Sequence, residues 1–359
     1  MKRNSPRLKF FLYLLSLIYG LVIFVRNFLF DFHLLPEESF NIPVISIGNI
    51  SVGGTGKTPH TEYIANLLSP HYRVAILSRG YKRKTKGFLL ADETNASAAS
   101  LGDESYQMFR KLKDCTIAVD ANRRRGIRKL LEINPKLQVI LLDDAFQHRF
   151  VKPTASILLT DYSRLFTEDA LLPYGNLREP AGNKYRADIV VVTKCPLAMN
   201  PMDYKMVQKK LDLFPFQTIF FTFYRYSYPY ALFADKASAS VLDEAMMKQK
   251  KVLIVSGIAN PTLLTTYAAS VSKEITTMFF PDHYQFKADD YEKMAFKFSS
   301  MQGDKCVLIT EKDAARMIDD PLVPEGLKPY LFVLPVKVEF IKNQNQFNHQ
   351  ILSYVSKNQ

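Results

Sequence analysis

The chain has 359 residues, 47% of them hydrophobic and 23% charged, enough for one large or two ordinary domains with a sizeable core. Its 26 Phe and 19 Tyr exclude a disordered tail. The three widely spaced cysteines (Cys115, Cys195 and Cys306) exclude a disulfide framework and a CxxC zinc site, and fit a reducing compartment. Lys and Arg number 47 against 35 Asp and Glu, a formal charge of +12 that points to an anionic partner: nucleic acid, acidic headgroups or a phosphorylated substrate.

Residues Phe10 to Val25 carry no charge, with Lys2, Arg3, Arg7 and Lys9 before them and Arg26 after. Val25 to Phe28 lack the small residues a secretory cleavage site needs. As a helix the run measures about 24 Å, short of the roughly 30 Å hydrocarbon core. Lys9, Tyr13, Ser16, Gly20 and Asn27 share one narrow stripe of that helix, the rest being apolar. This predicts a helix embedded in one leaflet with its stripe toward protein or headgroups. The basic flank favours an N-in orientation, and a spanning helix would then carry the remaining chain away from the cytosolic nucleotide that the next motif calls for. A buried core helix is the alternative.

After a linker punctuated by Pro36 and Pro43, Val44 to Gly48 reads as a buried strand, and helical apolar spacing follows at Tyr63, Ile64, Leu67 and Leu68. Between them Ser51-Val52-Gly53-Gly54-Thr55-Gly56-Lys57-Thr58 has the parts of a P-loop. Its backbone N–H groups and the helix N-terminus would hold a triphosphate, Lys57 would reach the β/γ-phosphates and Thr58 would bind Mg²⁺. The strict pattern wants Gly where Ser51 stands, so this is a variant Walker A. Gln138 to Asp144 is an apolar strand ending in Asp143 and Asp144, the carboxylates expected to hold Mg²⁺ beside the loop. Glu179 competes for the same role.

Other segments are less specific. Arg79, Lys82, Arg83, Lys84 and Lys86, between a strand at 73–78 and Gly87, suit an anion-gripping lid or a solvated basic loop. Arg123, Arg124, Arg125, Arg128 and Lys129 open a helix and suit phosphates or a plain surface. Asp103 and Glu104 begin another helix as ordinary first-turn acids. Asn176 to Pro180 is a polar turn, and His283 lies in a turn where a lone histidine is usually exposed. The strands 188–194 and 306–313 end in Thr-Lys and Thr-Glu-Lys-Asp, possible nucleotide-base loops. No nucleic-acid-binding motif appears, so nucleic acid is not expected as a partner.

Taken in order, SVGGTGKTPH, SRGY, GDE, LLDDAFQHR, LREP, PDHYQF and TEKDAAR across residues 51 to 316, with the apolar first helix, resemble the tetraacyldisaccharide 4′-kinase (lipid A 4′-kinase) family. The resemblance implies a P-loop kinase on the cytoplasmic face of the inner membrane. It would transfer the γ-phosphoryl of ATP, with Mg²⁺, to the 4′-hydroxyl of an acylated glucosamine disaccharide 1-phosphate. No obligatory protein partner is implied. Asp103 then resembles the general base, His283 its orienting partner, and Asp143 and Asp144 the Mg²⁺ and phosphate-ordering carboxylates. Arg79, Arg123, Gln147, His148, Arg178 and Glu179 fall on positions lining the site. Ala145 departs from the family's usual Asp-Asp-Gly-Phe-Gln-His, which bears on where Gln147 sits.

The expected fold is α/β: a P-loop NTPase-like, mostly parallel sheet over 33–225, a smaller C-terminal α/β domain over 226–359, and a membrane-associated helix in 1–32. Closure of the two domains would bring His283 to the site. The competing function is a membrane-associated P-loop ATPase acting as a switch. A nucleic-acid-stimulated NTPase is a third reading, allowed by charge alone.

Overall fold

The computed structural model describes residues 6–357; Lys2 and Arg3 of the basic flank lie outside them. The first part of the chain runs α1 (Pro6–Asp31), β1 (Val44–Gly48), α2 (Lys57–Leu68), β2 (Val74–Ser78), β3 (Leu89–Leu90), α3 (Ala98–Leu101) and α4 (Asp103–Lys111). It continues β4 (Thr116–Val119), α5 (Arg123–Ile133), β5 (Val139–Asp143), β6 (Ala155–Asp161), β7 (Ile189–Thr193), α6 (Pro201–Leu211) and β8 (Thr218–Tyr226). Then come β9 (Tyr230–Ala231), α7 (Glu244–Gln249), β10 (Lys251–Ser256), α8 (Thr262–Val271), β11 (Glu274–Phe279) and α9 (Ala288–Ser300). The last elements are β12 (Lys305–Thr310), α10 (Glu311–Met317), β13 (Leu331–Leu334), β14 (Val336–Phe340) and α11 (Gln344–Ser356).

Nine strands form one sheet in the order β14-β8-β7-β6-β1-β5-β2-β4-β3, antiparallel only at its two outermost pairs. Inner strands such as β1, β5 and β7 are buried along their whole length, which is why their sequences are mostly apolar rather than alternating. β1 lies between β5 and β6, so the loop leaving β1 emerges beside Asp143 at the end of β5. In open parallel sheets ligands bind at such carboxyl edges. A second sheet, β11-β10-β12-β13-β9, forms the smaller unit.

The smaller unit does not extend to the end of the described chain, as 226–359 had suggested. β14 returns to the large sheet and pairs antiparallel with β8, Val336 opposite Tyr226. α11 packs on α2, with Phe347 buried against Phe220, Phe340 and Tyr63, and Tyr63 Oη donating to Asn348 at 2.8 Å. Burying an aromatic of this kind contributes about 1.5–3 kcal/mol. The small unit is therefore an insertion between β8 and β14.

α1 is turned inside out relative to a helix of a soluble core. Its protein-facing side is the polar stripe: Ser16 Oγ donates to the Leu171 carbonyl at 3.1 Å, and Asn27 is buried. Tyr13 sits edge-on to Tyr174, and Phe30 is fully buried against Phe150. Of the predicted stripe, Lys9 is exposed. Phe10, Leu14, Leu17, Ile18, Leu21 and Phe24 face outward, which overturns the core-helix alternative. Among the described residues α1 alone is long and apolar enough to cross a membrane. It spans about 39 Å, longer than the uncharged run, since it continues through Arg26, whose Nη2 donates to the Gln147 carbonyl, and Asn27, whose backbone carbonyl accepts from Arg149.

Candidate active site

The loop between β1 and α2 is held from three sides. Ser51 pairs with Leu177 in an antiparallel bridge, and Val52 N–H donates to the Asn176 carbonyl at 2.7 Å. The extended pairing explains why Ser51 is tolerated where the strict motif has glycine: the left-handed positions are Gly53 (φ 111°) and Gly56 (φ 87°). It also makes the 176–180 turn a brace of the loop. Asn49 Nδ2 donates to Thr55 Oγ1 at 2.7 Å, and Thr193 Oγ1 to the Thr55 carbonyl at 2.9 Å. Lys194 bonds the Gly54 carbonyl and Asp161, so the Thr-Lys end of β7 supports the phosphate loop. His60, buried in α2, contacts the Gly56 carbonyl at 2.7 Å through Nδ1 and Thr222 Oγ1 at 3.0 Å through Nε2. Burial lowers its pKa to about 4, so it serves as a neutral strut. The head of α2 has no side-chain cap, leaving N–H groups free for an anion, and space beside Gly54 is open.

Lys57 begins α2, with Nζ 3.6 Å from Asp144 Oδ1, and Thr58 follows it, half-buried. Asp143 ends β5 fully inside, accepting from Thr61 Oγ1 at 3.1 Å and Ser78 Oγ at 3.4 Å. Burial, then the charges of Glu104 and Asp144, push its carboxyl up to about 7. Asp144 is half-buried, and although desolvation would raise its pKa, Lys57 and Arg178, whose Nη1 is 3.2 Å away, hold it below the usual range. Asp144 is also the left-handed residue here (φ 46°), so Ala145 fits without strain. Gln147 then donates to the Asn49 carbonyl at 2.6 Å and faces Arg178.

Mg²⁺ asks for one or two carboxylates beside phosphate and water oxygens, not a cage. Asp143, a buried carboxyl flanked by two others, meets that demand, since a cation would relieve the repulsion. Glu179 is placed differently. Its Oε2 is taken by Asn183 and Arg186, while Oε1 has no hydrogen bond and lies 4.0 Å from Arg26. Among the described residues no three His, Cys, Asp or Glu side chains converge as a metal cluster.

A cleft of about 560 Å³ opens beside these groups, lined by Arg79, Arg123, Asp143, Asp144, Gln147, His148, Arg178 and Glu179. From the basic helix start only Arg123 enters it, buried, with Nη2 donating to the Asp143 carbonyl at 3.1 Å. Arg125 pairs with Asp120, Arg128 with Glu38 and Lys129 with Glu132. Burial, then Arg123 and Arg26, lower the pKa of His148 to about 4. The lid segment reaches the site through Tyr81, whose ring is 5.0 Å from that of His283, and Lys82, which donates to the His283 carbonyl at 3.3 Å. Lys84 and Lys86 are solvated.

His283 is not an exposed turn residue. Its backbone is left-handed (φ 56°), its side chain lines the cleft, and Nδ1 is 3.1 Å from Asp103 Oδ2. The small unit thus already meets Asp103 at the head of α4. Burial alone would raise the Asp103 pKa, but the His283 hydrogen bond and the Arg316 charge bring it below the ordinary value. The Thr-Glu-Lys-Asp segment is no base loop: it caps and begins α10, which faces α4 with Lys312 and Arg316.

Sequence reasoning missed those two residues, although the Thr310–Asp313 capping pair with Arg316 one turn on marks a helix start. It also missed Tyr19, Ile23 and Arg26, which form one wall of the cleft. Tyr19 Oη donates to the Arg178 carbonyl at 2.8 Å and Arg26 Nη2 to the Gln147 carbonyl at 2.6 Å. Their spacing on α1 was the available signal.

Comparison with known proteins extends over the same elements. The pattern of a family described as tetraacyldisaccharide-1-P 4′-kinase matches residues 8–356. The chain is 46% identical over 355 residues to the tetraacyldisaccharide 4′-kinase of Bacteroides thetaiotaomicron, covering 97% of this chain and 93% of that one. It is 46% identical over 343 residues to the Flavobacterium johnsoniae protein of the same name, with 96% of each covered. A crystal structure of LpxK from Aquifex aeolicus in complex with ATP is similar at a TM-score of 0.73 and 29% identity, over 97% of this chain and 99% of that one. With its fold, its phosphate loop and nearly its whole length in common with these proteins, the chain belongs to the tetraacyldisaccharide-1-P 4′-kinase family.

Proposed function

We propose that the chain is a lipid kinase that moves the γ-phosphoryl group of ATP to the 4′-hydroxyl of an acylated glucosamine disaccharide 1-phosphate, at the cytoplasmic face of the inner membrane. One observation carries this reading. A single cleft has the Asp143–Asp144 end of β5 on one side, His283 with Asp103 against it on another, and the inner side of α1 on a third. A switch ATPase needs the first alone. α1 contacts protein from Tyr13 to Phe30, about 27 Å of its length, which supports lying in one leaflet over crossing it. Its outward apolar side would then sit among acyl chains while Tyr19, Ile23 and Arg26 face the sugar.

In this mechanism the free N–H groups at the head of α2 and the Lys57 ammonium bind the phosphates. Arg79, Arg123 and Arg178 spread the transferred group's charge. Mg²⁺, when bound, offsets phosphate charge, and Thr58, Asp143, Asp144 and the free Oε1 of Glu179 are the groups to hold it or its waters. Asp103, anionic at neutral pH, accepts the hydroxyl proton as the sugar oxygen–phosphorus bond forms. The bond from γ-phosphorus to the bridging oxygen breaks, and ADP leaves with that electron pair. A carboxylate suffices as base because the transition state is loose.

A second reading has one observation behind it: His283 lines the cleft, whereas Asp103 is only 9% exposed and does not. His283 Nε2 would then take the proton, with Asp103 as its orienter. The test is label transfer from γ-labelled ATP to the tetraacyl disaccharide 1-phosphate in detergent. Lys57→Ala is expected to abolish it and Asp103→Ala to reduce it roughly 10²–10⁴-fold. An acid limb of kcat lying below the ordinary carboxylate range supports Asp103 as acceptor, in line with its lowered pKa, and a limb well above that range overturns that role. ATP hydrolysis without lipid label would hand the protein to the switch reading.

A further inference from the structure

We propose that Lys312 and Arg316, one turn apart on α10, are positioning residues that clamp the Asp103–His283 pair from both ends, keeping the imidazole proton on Nδ1 and leaving Asp103 Oδ1 as the acceptor for the sugar hydroxyl. The inference rests on the kinase reading and selects between its two candidate bases.

The geometry starts with Lys312. Its Nζ lies 2.9 Å from His283 Nε2, 3.2 Å from Glu104 Oε1 and 3.2 Å from Asp282 Oδ1. An ammonium has three N–H donors and no lone pair, so three acceptors satisfy it, and Nε2 must be one of them. The ring proton then sits on Nδ1 and is donated to Asp103 Oδ2 across 3.1 Å. The same Oδ2 accepts from Arg316 Nε at 2.8 Å. Oδ1 has no hydrogen-bond partner among the described residues.

Arg316 is itself fixed. Its Nη1 donates to Asp313 Oδ1 at 3.0 Å and the Gly257 carbonyl at 3.4 Å, and Asp313 is buried, accepting from Thr310 and from Gly257 N–H. Two strand ends of the small unit, those of β10 and β12, thereby hold one guanidinium against a carboxylate of the large unit. Arg316 Nη2 is buried without a hydrogen-bond partner among the described residues. The groups around the pair are Lys312 and Arg316 from α10, Glu104 from α4, Asp282, the Tyr81 ring, and Lys82 at the His283 carbonyl. The cations occupy Nε2 and Oδ2; Glu104 and Asp282 bond the Lys312 ammonium.

Two readouts test this. In detergent-solubilised full-length protein with nitrogen-labelled histidine, long-range proton–nitrogen spectra should show His283 as the Nδ1–H tautomer, and Lys312→Met should bring in the Nε2–H form. An Nε2–H tautomer in the unaltered protein, or spectra unmoved by Lys312→Met, overturns the clamp. In label transfer, Arg316→Gln should shift the acid limb of kcat upward by roughly one pH unit or more, because a cation beside a carboxylate lowers its pKa by about 1–3 units. KM for ATP should stay within about twofold, and Arg316→Lys, which keeps the charge, should restore most of the limb. An unmoved limb, or a lysine variant no better than glutamine, makes Arg316 merely structural and overturns its assigned role. Should Arg316→Gln melt at a reduced temperature, Arg316→Lys and Lys312→Met carry the decision. If the unaltered protein labels no lipid, the kinase reading fails while the tautomer result stands on its own.

Discussion

Two glycines two positions apart, Gly54 and Gly56, separate the folding role of the phosphate loop from its binding role. At Gly56 the backbone is left-handed (φ 87°), and an added Cβ would lie 2.2 Å from Tyr224 Oη. The conformation costs an alanine about 1–2 kcal/mol, and forcing the Tyr224 ring aside adds about 1–3 kcal/mol, for a total of about 2–5 kcal/mol. At about 2–4 °C per kcal/mol, Gly56→Ala should lower the melting temperature by roughly 4–20 °C. At Gly54 an added Cβ meets nothing within 4 Å and no left-handed φ is required, so Gly54→Ala should leave stability within about 0.5 kcal/mol. Its methyl group would fill the open space where phosphates approach the loop, and ATP affinity should fall about tenfold or more. The assay is a thermal melt of both variants with titration of fluorescent ATP in detergent. ATP binding by Gly54→Ala equal to the unaltered protein's would refute the cradle; an unchanged melt for Gly56→Ala would refute the strain argument.

The Lys111 ammonium bridges Glu62 Oε2 at 2.6 Å and Glu311 Oε1 at 2.7 Å, tying α2, α4 and α10 together. Lys111→Met leaves those carboxylates facing each other and should cost about 3 kcal/mol. Burial already pushes Glu62 up to about 7, so the folded state holds that proton more tightly than the unfolded chain, and the cost should grow as pH rises through 7. Melts at about pH 5.5 and about pH 8.5 check this, and an equal loss at both would contradict it. On the outward side of α1, Leu17→Asp with Leu21→Asp should release the protein from anionic lipid vesicles in a sedimentation assay without changing its melt, both side chains being solvent-facing. Binding that survives the pair would remove α1 as the membrane contact.

Much of the architecture was legible because it rests on local pattern. The apolar run at 139–142 reads as a strand buried on both faces, and Gly53-Gly54-Thr55-Gly56-Lys57-Thr58 between a strand and a helix has few uses other than phosphate binding. The one polar stripe on the apolar circumference of α1 marked the side set apart from lipid, toward protein or headgroups, and the structure places Ser16 and Asn27 of that stripe against protein. The boundary of the small unit was not legible, because β14 is an ordinary alternating strand whose membership depends on pairing with β8, more than a hundred residues away.

The same division runs through the site. Residue chemistry and spacing in the sequence were enough to single out Lys57, Asp143 and Asp144 as candidates for phosphate and metal binding, because the loop and the strand that carry them end side by side. Tertiary structure alone decided that Arg123 leaves its basic cluster for the cleft while its neighbours pair at the surface. It also decided that α1 supplies a wall of that cleft, and that Lys312 meets His283 while Arg316 grips Asp103 from more than two hundred residues away. Hydrogen bonds and ion pairs act over about 3 Å in space and carry no memory of chain separation, so no local pattern could announce them.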